Sequence, residues 1–152
     1  MSNAFFRLGR LLPEVAGSLL AQDCFLCGSA AGRVLVCDAC RAELPAHPAL
    51  CCPVCALPGT SDGRCAACRA APPAFDASLA VFDYRFPLDV MLQALKYGHR
   101  LALARFFGEA LRERASARAA AADLIVPMPL HRRRLQERGF NQAVEVARPL
   151  AR

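Results

Sequence analysis

Two observations predict a small metal-stapled ribbon module followed by an α/β domain. Eight of the nine cysteines fall into two quartets of equal internal spacing, all before residue 69; beyond Pro72-Pro73 cysteine is absent and helical and strand periodicities begin. A chain of 152 residues makes one ordinary domain or two small ones. Its 55% apolar residues suffice to close a core, which excludes a chain dominated by disorder.

At the amino terminus Phe5, Leu8, Leu12 and Val15 recur at helical spacing, so residues 1–22 read as a short amphipathic helix. Arg7 and Arg10 ahead of Leu11 and Leu12 look like the start of an export signal, but Pro13 and Glu14 interrupt the apolar run such a signal needs. No stretch reaches the roughly 18 consecutive apolar residues that span a bilayer. The expected setting is cytoplasmic, without membrane contact, and in a reducing compartment nine cysteines point to metal before disulfides.

Cys24, Cys27, Cys37 and Cys40 read C-x2-C-x9-C-x2-C, and Cys52, Cys55, Cys65 and Cys68 repeat that spacing 28 residues later. Two residues between cysteines let both sulfurs of a tight turn reach one ion at about 2.3 Å, and two such turns complete a tetrahedral four-thiolate shell for Zn2+. A catalytic zinc keeps an open position and often a histidine; neither quartet has one, so both read as closed structural sites. Small core residues or low-pKa redox pairs would also use cysteine, but neither demands four in register. Gly28, Pro53 and Pro58-Gly59 supply turns around the knuckles, and the double ribbon is assigned to residues 23–71. His47, between Pro45 and Pro48, is expected at the surface. Cys51, whose counterpart 28 residues earlier is Asp23, is expected to be a non-ligand or an occasional substitute for Cys52. Sequential and cross-braced pairing both stay open, since doubling a loop costs only about 0.6 kcal/mol, although the repeat favours the sequential one.

Residues 75–152 form the second part. Residues 77–84 alternate like a strand, Leu88, Met91, Leu92 and Leu95 follow helical spacing, and Leu103, Phe106, Phe107, Ala110 and Leu111 do so again. Leu124-Ile125-Val126 reads as a short strand ended by Pro127 and Pro129. The order strand, helices, strand, loop, helix predicts α/β architecture.

Charge is placed unevenly. Residues 1–95 carry seven basic and eight acidic groups, residues 96–152 twelve and five. The formal +6 falls to about +2 once eight thiolates hold two Zn2+ ions, so global basicity is weak support for nucleic acid and the second part is where an anion would bind. There His131 to Gln142 reads as a basic loop leading into a helix. Asn141 is a good N-cap, Gly139 allows close approach of backbone to a ligand, and Arg134 and Arg138 offer forked donors that match phosphate oxygens. Apart from Phe140 no aromatic residue is interleaved with these arginines, which argues against a dedicated single-strand stacking platform.

The paired knuckles, Leu95-Lys96-Tyr97-Gly98, the stretch from Asp123 through Ile125-Val126-Pro127-Met128-Pro129-Leu130-His131, and Arg134-x-x-x-Arg138-Gly139-Phe140-Asn141-Gln142 occur in the order found in the ComF family of competence-associated proteins. The chain resembles that family from about Pro13 onward. The resemblance implies a double zinc ribbon joined to a type I phosphoribosyltransferase domain, with Arg138, Gly139 and Asn141 in the loop that receives pyrophosphate. Family members continue to a strand ending in two acidic residues and a Thr-Thr-Gly loop that holds the ribose and 5′-phosphate of phosphoribosyl pyrophosphate. This sequence has no Asp-Asp pair and Thr60 is its one threonine. The expected fold is therefore a zinc-ribbon module followed by an incomplete α/β phosphoribosyltransferase-like domain, truncated at the carboxyl end. Mg2+ is implied only for a complete transferase site, and Lys96 is the candidate for a catalytic cation.

Two functions follow. One is a ComF-like role in DNA uptake and utilisation, with single-stranded DNA or the competence helicase machinery as partner, a phosphoribosyl pyrophosphate-like ligand in the family, and no transferase activity in this polypeptide. The alternative is a nucleic-acid or protein adaptor that uses the transferase fold as a scaffold. Leu124, Val126 and Val144 are expected to leave an apolar surface partly exposed.

Overall fold

The computed structural model describes residues 22–59, 63–120 and 122–151; the expected helix over 1–22 lies outside the described residues apart from its last residue. The chain divides into two compact units, Met1–Leu44 and Pro45–Arg152.

In the first unit the chain turns at Cys24–Cys27, crosses back on itself through an isolated antiparallel bridge between Asp23 and Ala30, and enters α1 (Asp38–Ala42) from Cys37. The second unit opens with the same arrangement 28 residues on. Its bridge joins Cys51 to Pro58, and Cys65 leads into α2 (Ala66–Ala70). Even the backbone bonds correspond: Cys24 N–H donates to Ser29 at 2.7 Å, and Cys52 N–H to Leu57 at 2.9 Å. The sequence repeat is thus a structural repeat.

After the second ribbon come α3 (Leu88–Tyr97) and α4 (Ala102–Ala120). Leu88, Met91 and Leu95, one face of α3, are fully buried, as is Leu103 on α4; burial of each such side chain contributes roughly 1.5–3 kcal/mol. Phe82 stacks on Phe106 at 6.5 Å between centroids, and Phe107 meets Phe106 edge-on. α4 packs against α6 (Gln142–Ala147) and the 3-10 turn Arg148–Ala151 that contains Pro149. Gly108 makes that approach possible, since a β-carbon there would overlap the Val146 carbonyl oxygen.

Three expectations change here. Residues 77–84 do not form a strand. They contribute one bridge, Ala46 to Phe82, flanked by His47 N–H to Val81 at 2.9 Å and Asp83 N–H to Pro45 at 2.8 Å; Pro45 lacks the N–H that would return a bond to Asp83 and extend the ladder. Residues 124–126 likewise form no strand, so no sheet forms among the described residues and the second part is mostly helical with irregular connections. Leu124, Val126 and Met128 are exposed on alternate positions, and Val144 is partly so, as expected for a strand-like segment with no neighbour. Lastly, the basic loop is itself a helix, α5 (Arg132–Arg138).

Among the described residues no helix is long and apolar enough to cross a membrane.

Candidate functional site

Each cysteine quartet comes together as a unit. The sulfurs of Cys24, Cys27, Cys37 and Cys40 lie within 4.8 Å of one another, as do those of Cys52, Cys55, Cys65 and Cys68, so the pairing is sequential. Tetrahedral coordination at the Zn–S distance of about 2.3 Å separates sulfurs by about 3.8 Å; Cys27 and Cys37 stand 3.8 Å apart, and Cys55 and Cys65 3.6 Å. Cys51 is not part of the second group.

Local backbone geometry prepares the sulfurs for a cation. Cys37 N–H donates to Cys24 Sγ and Cys65 N–H to Cys52 Sγ, both at 3.4 Å. The thiol of Cys24 is lowered from 9.0 to about 6 by the backbone N–H of Cys27 and then that of Cys37. Cys52 falls equally to about 6, with the amides of Cys55 and Cys65 as the leading causes. Cys27 is lowered as well, chiefly through the Ser29 hydroxyl. The last member of each quartet goes the other way. Cys40 is pushed up to about 12 by the adjoining Cys37 and Cys27 thiols, and Cys68 to about 12 by burial and then Cys55 and Cys65. One thiolate forms readily and the fourth does not, because four negative sulfurs cannot crowd together without a positive ion. A dication removes that conflict, and soft thiolates in a closed tetrahedral set suit Zn2+. The two quartets are two structural zinc sites.

The second knuckle carries a feature that spacing did not reveal. His47 was expected at the surface, yet its side chain is 7% exposed. Nδ1 lies 2.8 Å from Asp83 Oδ1 and Nε2 2.8 Å from the Ala56 carbonyl. It is no zinc ligand; it ties the turn after Cys55 to the segment before α3. Ala56 itself sits at φ +60, the position that Gly28 fills at +71 in the first repeat.

The phosphate candidates fall around the α5–α6 junction. His131 caps α5 by accepting from Arg133 N–H, and the helix closes at Gly139 in the left-handed region, its N–H bonded to Leu135. Asn141 caps α6 as the sequence predicts, Oδ1 accepting from Ala143 N–H at 2.9 Å, while its Nδ2 donates to the Met128 carbonyl. Arg138 is buried, its guanidinium donating to Gln142 Oε1 at 3.1 Å and to the Tyr97 hydroxyl at 3.3 Å. Three of the four candidates therefore spend polar groups on bonds within the fold. Arg134 is exposed, and Arg133 is paired with Glu137 at 3.0 Å. Lys96, in the last turn of α3, is half-buried.

Comparison with known proteins agrees with this geometry. The family model described as the double zinc ribbon domain matches residues 15–69. The chain is 34% identical over 137 residues to the DNA utilization protein YhgH of Escherichia coli K12, covering 85% of this chain and 60% of that protein. It is 36% identical over 122 residues to the protein of the same name from Salmonella typhi, covering 76% and 53%. Both matches extend beyond the ribbon, and the chain spans 60% or less of these relatives' length. No solved structure matches it.

Proposed function

We propose that this chain, which carries a double zinc ribbon and is homologous to DNA utilization proteins, handles DNA in a competence or uptake pathway of the cytoplasm, with the ribbons as scaffold and the α5–α6 region as its anion-binding face. The homology carries the reading, and charge supports it. Across 96–101 and 131–142 there are six basic side chains and one acidic one, and Lys96, Arg100, Arg132 and Arg134 have no carboxylate partner among the described residues. Exposed arginines so grouped attract phosphate while remaining screened by salt. Arg134 makes direct phosphate contact in this reading, and Gly139, Asn141 and Arg138 shape the turn behind it. Sequence likeness to the ComF phosphoribosyltransferase domain supports a phosphoribosyl pyrophosphate-like ligand on the same face. Transfer chemistry needs ribose, 5′-phosphate and pyrophosphate held together, and this polypeptide has no Asp-Asp pair and a single threonine, so it is assigned no transferase activity of its own.

Titration of the zinc-loaded chain with labelled DNA at several salt concentrations tests the DNA role. Affinity should fall as salt rises, with a slope reduced by about one on Arg134→Ala. DNA binding with no salt dependence, or none at low salt, would defeat it. Calorimetry with phosphoribosyl pyrophosphate and Mg2+, followed by a pyrophosphate-release assay, tests the second part; turnover would overturn the assignment of no activity.

A further inference from the structure

We infer that Tyr97 on its Arg138 support, together with the adjoining His99–Phe140 pair, forms a stacking platform that selects the unpaired bases of single-stranded DNA over duplex. The inference rests on the DNA reading above and specifies the form of DNA taken.

Segments 41 residues apart build the platform. The guanidinium carbon of Arg138 lies 4.9 Å from the Tyr97 ring centroid, and Nη2 of Arg138 donates to the same residue's hydroxyl. Arg138 is only 7% exposed, whereas Tyr97 is 65% exposed. One side of the ring therefore rests on a cation and the rest faces solvent. A buried charge ordinarily has a charged partner; this one has a phenol, an amide and an aromatic face, and no carboxylate among the described residues. Next to it in the chain, the His99 imidazole meets Phe140 edge-on with centroids 6.0 Å apart. Here the fold corrects the sequence reading. Along the chain the arginines of 131–138 have Phe140 as their one aromatic neighbour, but α3 delivers Tyr97 onto Arg138.

An aromatic ring fixed by a guanidinium beneath it loses little freedom when a ligand stacks on it, which favours binding. Every nucleobase offers a flat π-face, and in a single strand that face is available, whereas in duplex both faces are taken by neighbouring base pairs. The flanking cations Lys96, Arg100, Arg132 and Arg134 are placed along the chain on both sides of the platform, and they would hold the phosphates. A polyanion without bases, such as an acidic peptide, would use the arginines and leave the ring idle.

The test uses the zinc-loaded chain, a labelled oligothymidylate and a duplex of equal length. Tyr97→Ala should weaken oligothymidylate binding by roughly 5- to 150-fold and leave duplex binding within about twofold. Tyr97→Phe, which keeps the ring, should restore most of the affinity. Arg132→Ala and Arg134→Ala should weaken both DNA forms alike. Zinc content and circular dichroism check the fold of each variant, and a 2-aminopurine base in the oligonucleotide reports stacking on the unmodified protein. Tyr97→Ala without effect, or with equal loss for single strand and duplex, overturns the platform while leaving the DNA reading intact. So does unchanged 2-aminopurine emission on binding. Failure to bind either DNA, or an acidic peptide matching oligothymidylate, removes the DNA reading and the platform with it.

Discussion

Replacing His47 by alanine should loosen the second zinc knuckle from the segment before α3 without removing its metal. The side chain is 7% exposed, and the two bonds it makes, to the Asp83 carboxylate and the Ala56 carbonyl, are each 2.8 Å. A bond to a charged group contributes roughly 1.5–3 kcal/mol and one to a carbonyl about 1 kcal/mol. Asp83 is 34% exposed and regains water when the ring is gone, which offsets part of the loss. Ala56 is buried, so its carbonyl is less easily rehydrated. The expected destabilisation is about 2–4 kcal/mol, a fall in Tm of roughly 5–15 °C for a chain of this size. Thermal melts of the zinc-loaded protein, the His47→Ala and Asp83→Ala variants and the double variant give the coupling directly, expected at about 1.5–3 kcal/mol. A coupling below about 0.5 kcal/mol would refute the clamp, and loss of a zinc ion on His47→Ala would show that the residue ligates metal after all.

Metal analysis of the purified chain should find two zinc ions; Cys27→Ser and Cys55→Ser should each leave one, while Cys51→Ser, outside both quartets, should keep two. Reloading of the stripped protein should depend on pH in a definite direction. Cys24 and Cys52 are depressed to about 6, so the thiolates that first meet the metal, and the folded-state stability their low values provide, are present above the ordinary thiol range and lost as pH falls through about 6; cobalt absorbance on reloading should drop between pH 7 and 5, and uptake that is flat across that range would contradict the lowered values. Finally, Ala56→Gly should stabilise the second knuckle by up to about 1 kcal/mol by relieving a left-handed alanine at φ +60, whereas Gly28→Ala at the equivalent turn should destabilise the first by about 1 kcal/mol, both read from urea titrations.

The metal centres were legible in the sequence because zinc ligation is local. A C-x-x-C turn fixes two sulfurs within four residues, and a second turn thirteen residues on closes the shell, so the spacing of Cys24 to Cys40 and of Cys52 to Cys68 carried the site with no knowledge of what surrounds it. The helical stripe Leu88, Met91 and Leu95 and the Asn141 cap were legible for the same reason, each being a matter of one or two turns. Residues 77–84 and 124–126 misled because alternation in the one and a short apolar run in the other say that a segment suits a strand, and only a neighbouring strand with free N–H groups makes it one. His47 and Arg138 could not be read at all. Each owes its burial to a partner far along the chain, Asp83 at 36 residues and Tyr97 at 41, and flanking prolines or a run of arginines look alike whether they face water or a tertiary neighbour. Spacing determined where the metal goes; long-range packing decided which polar side chains hold the fold and which aromatic ring is left facing solvent.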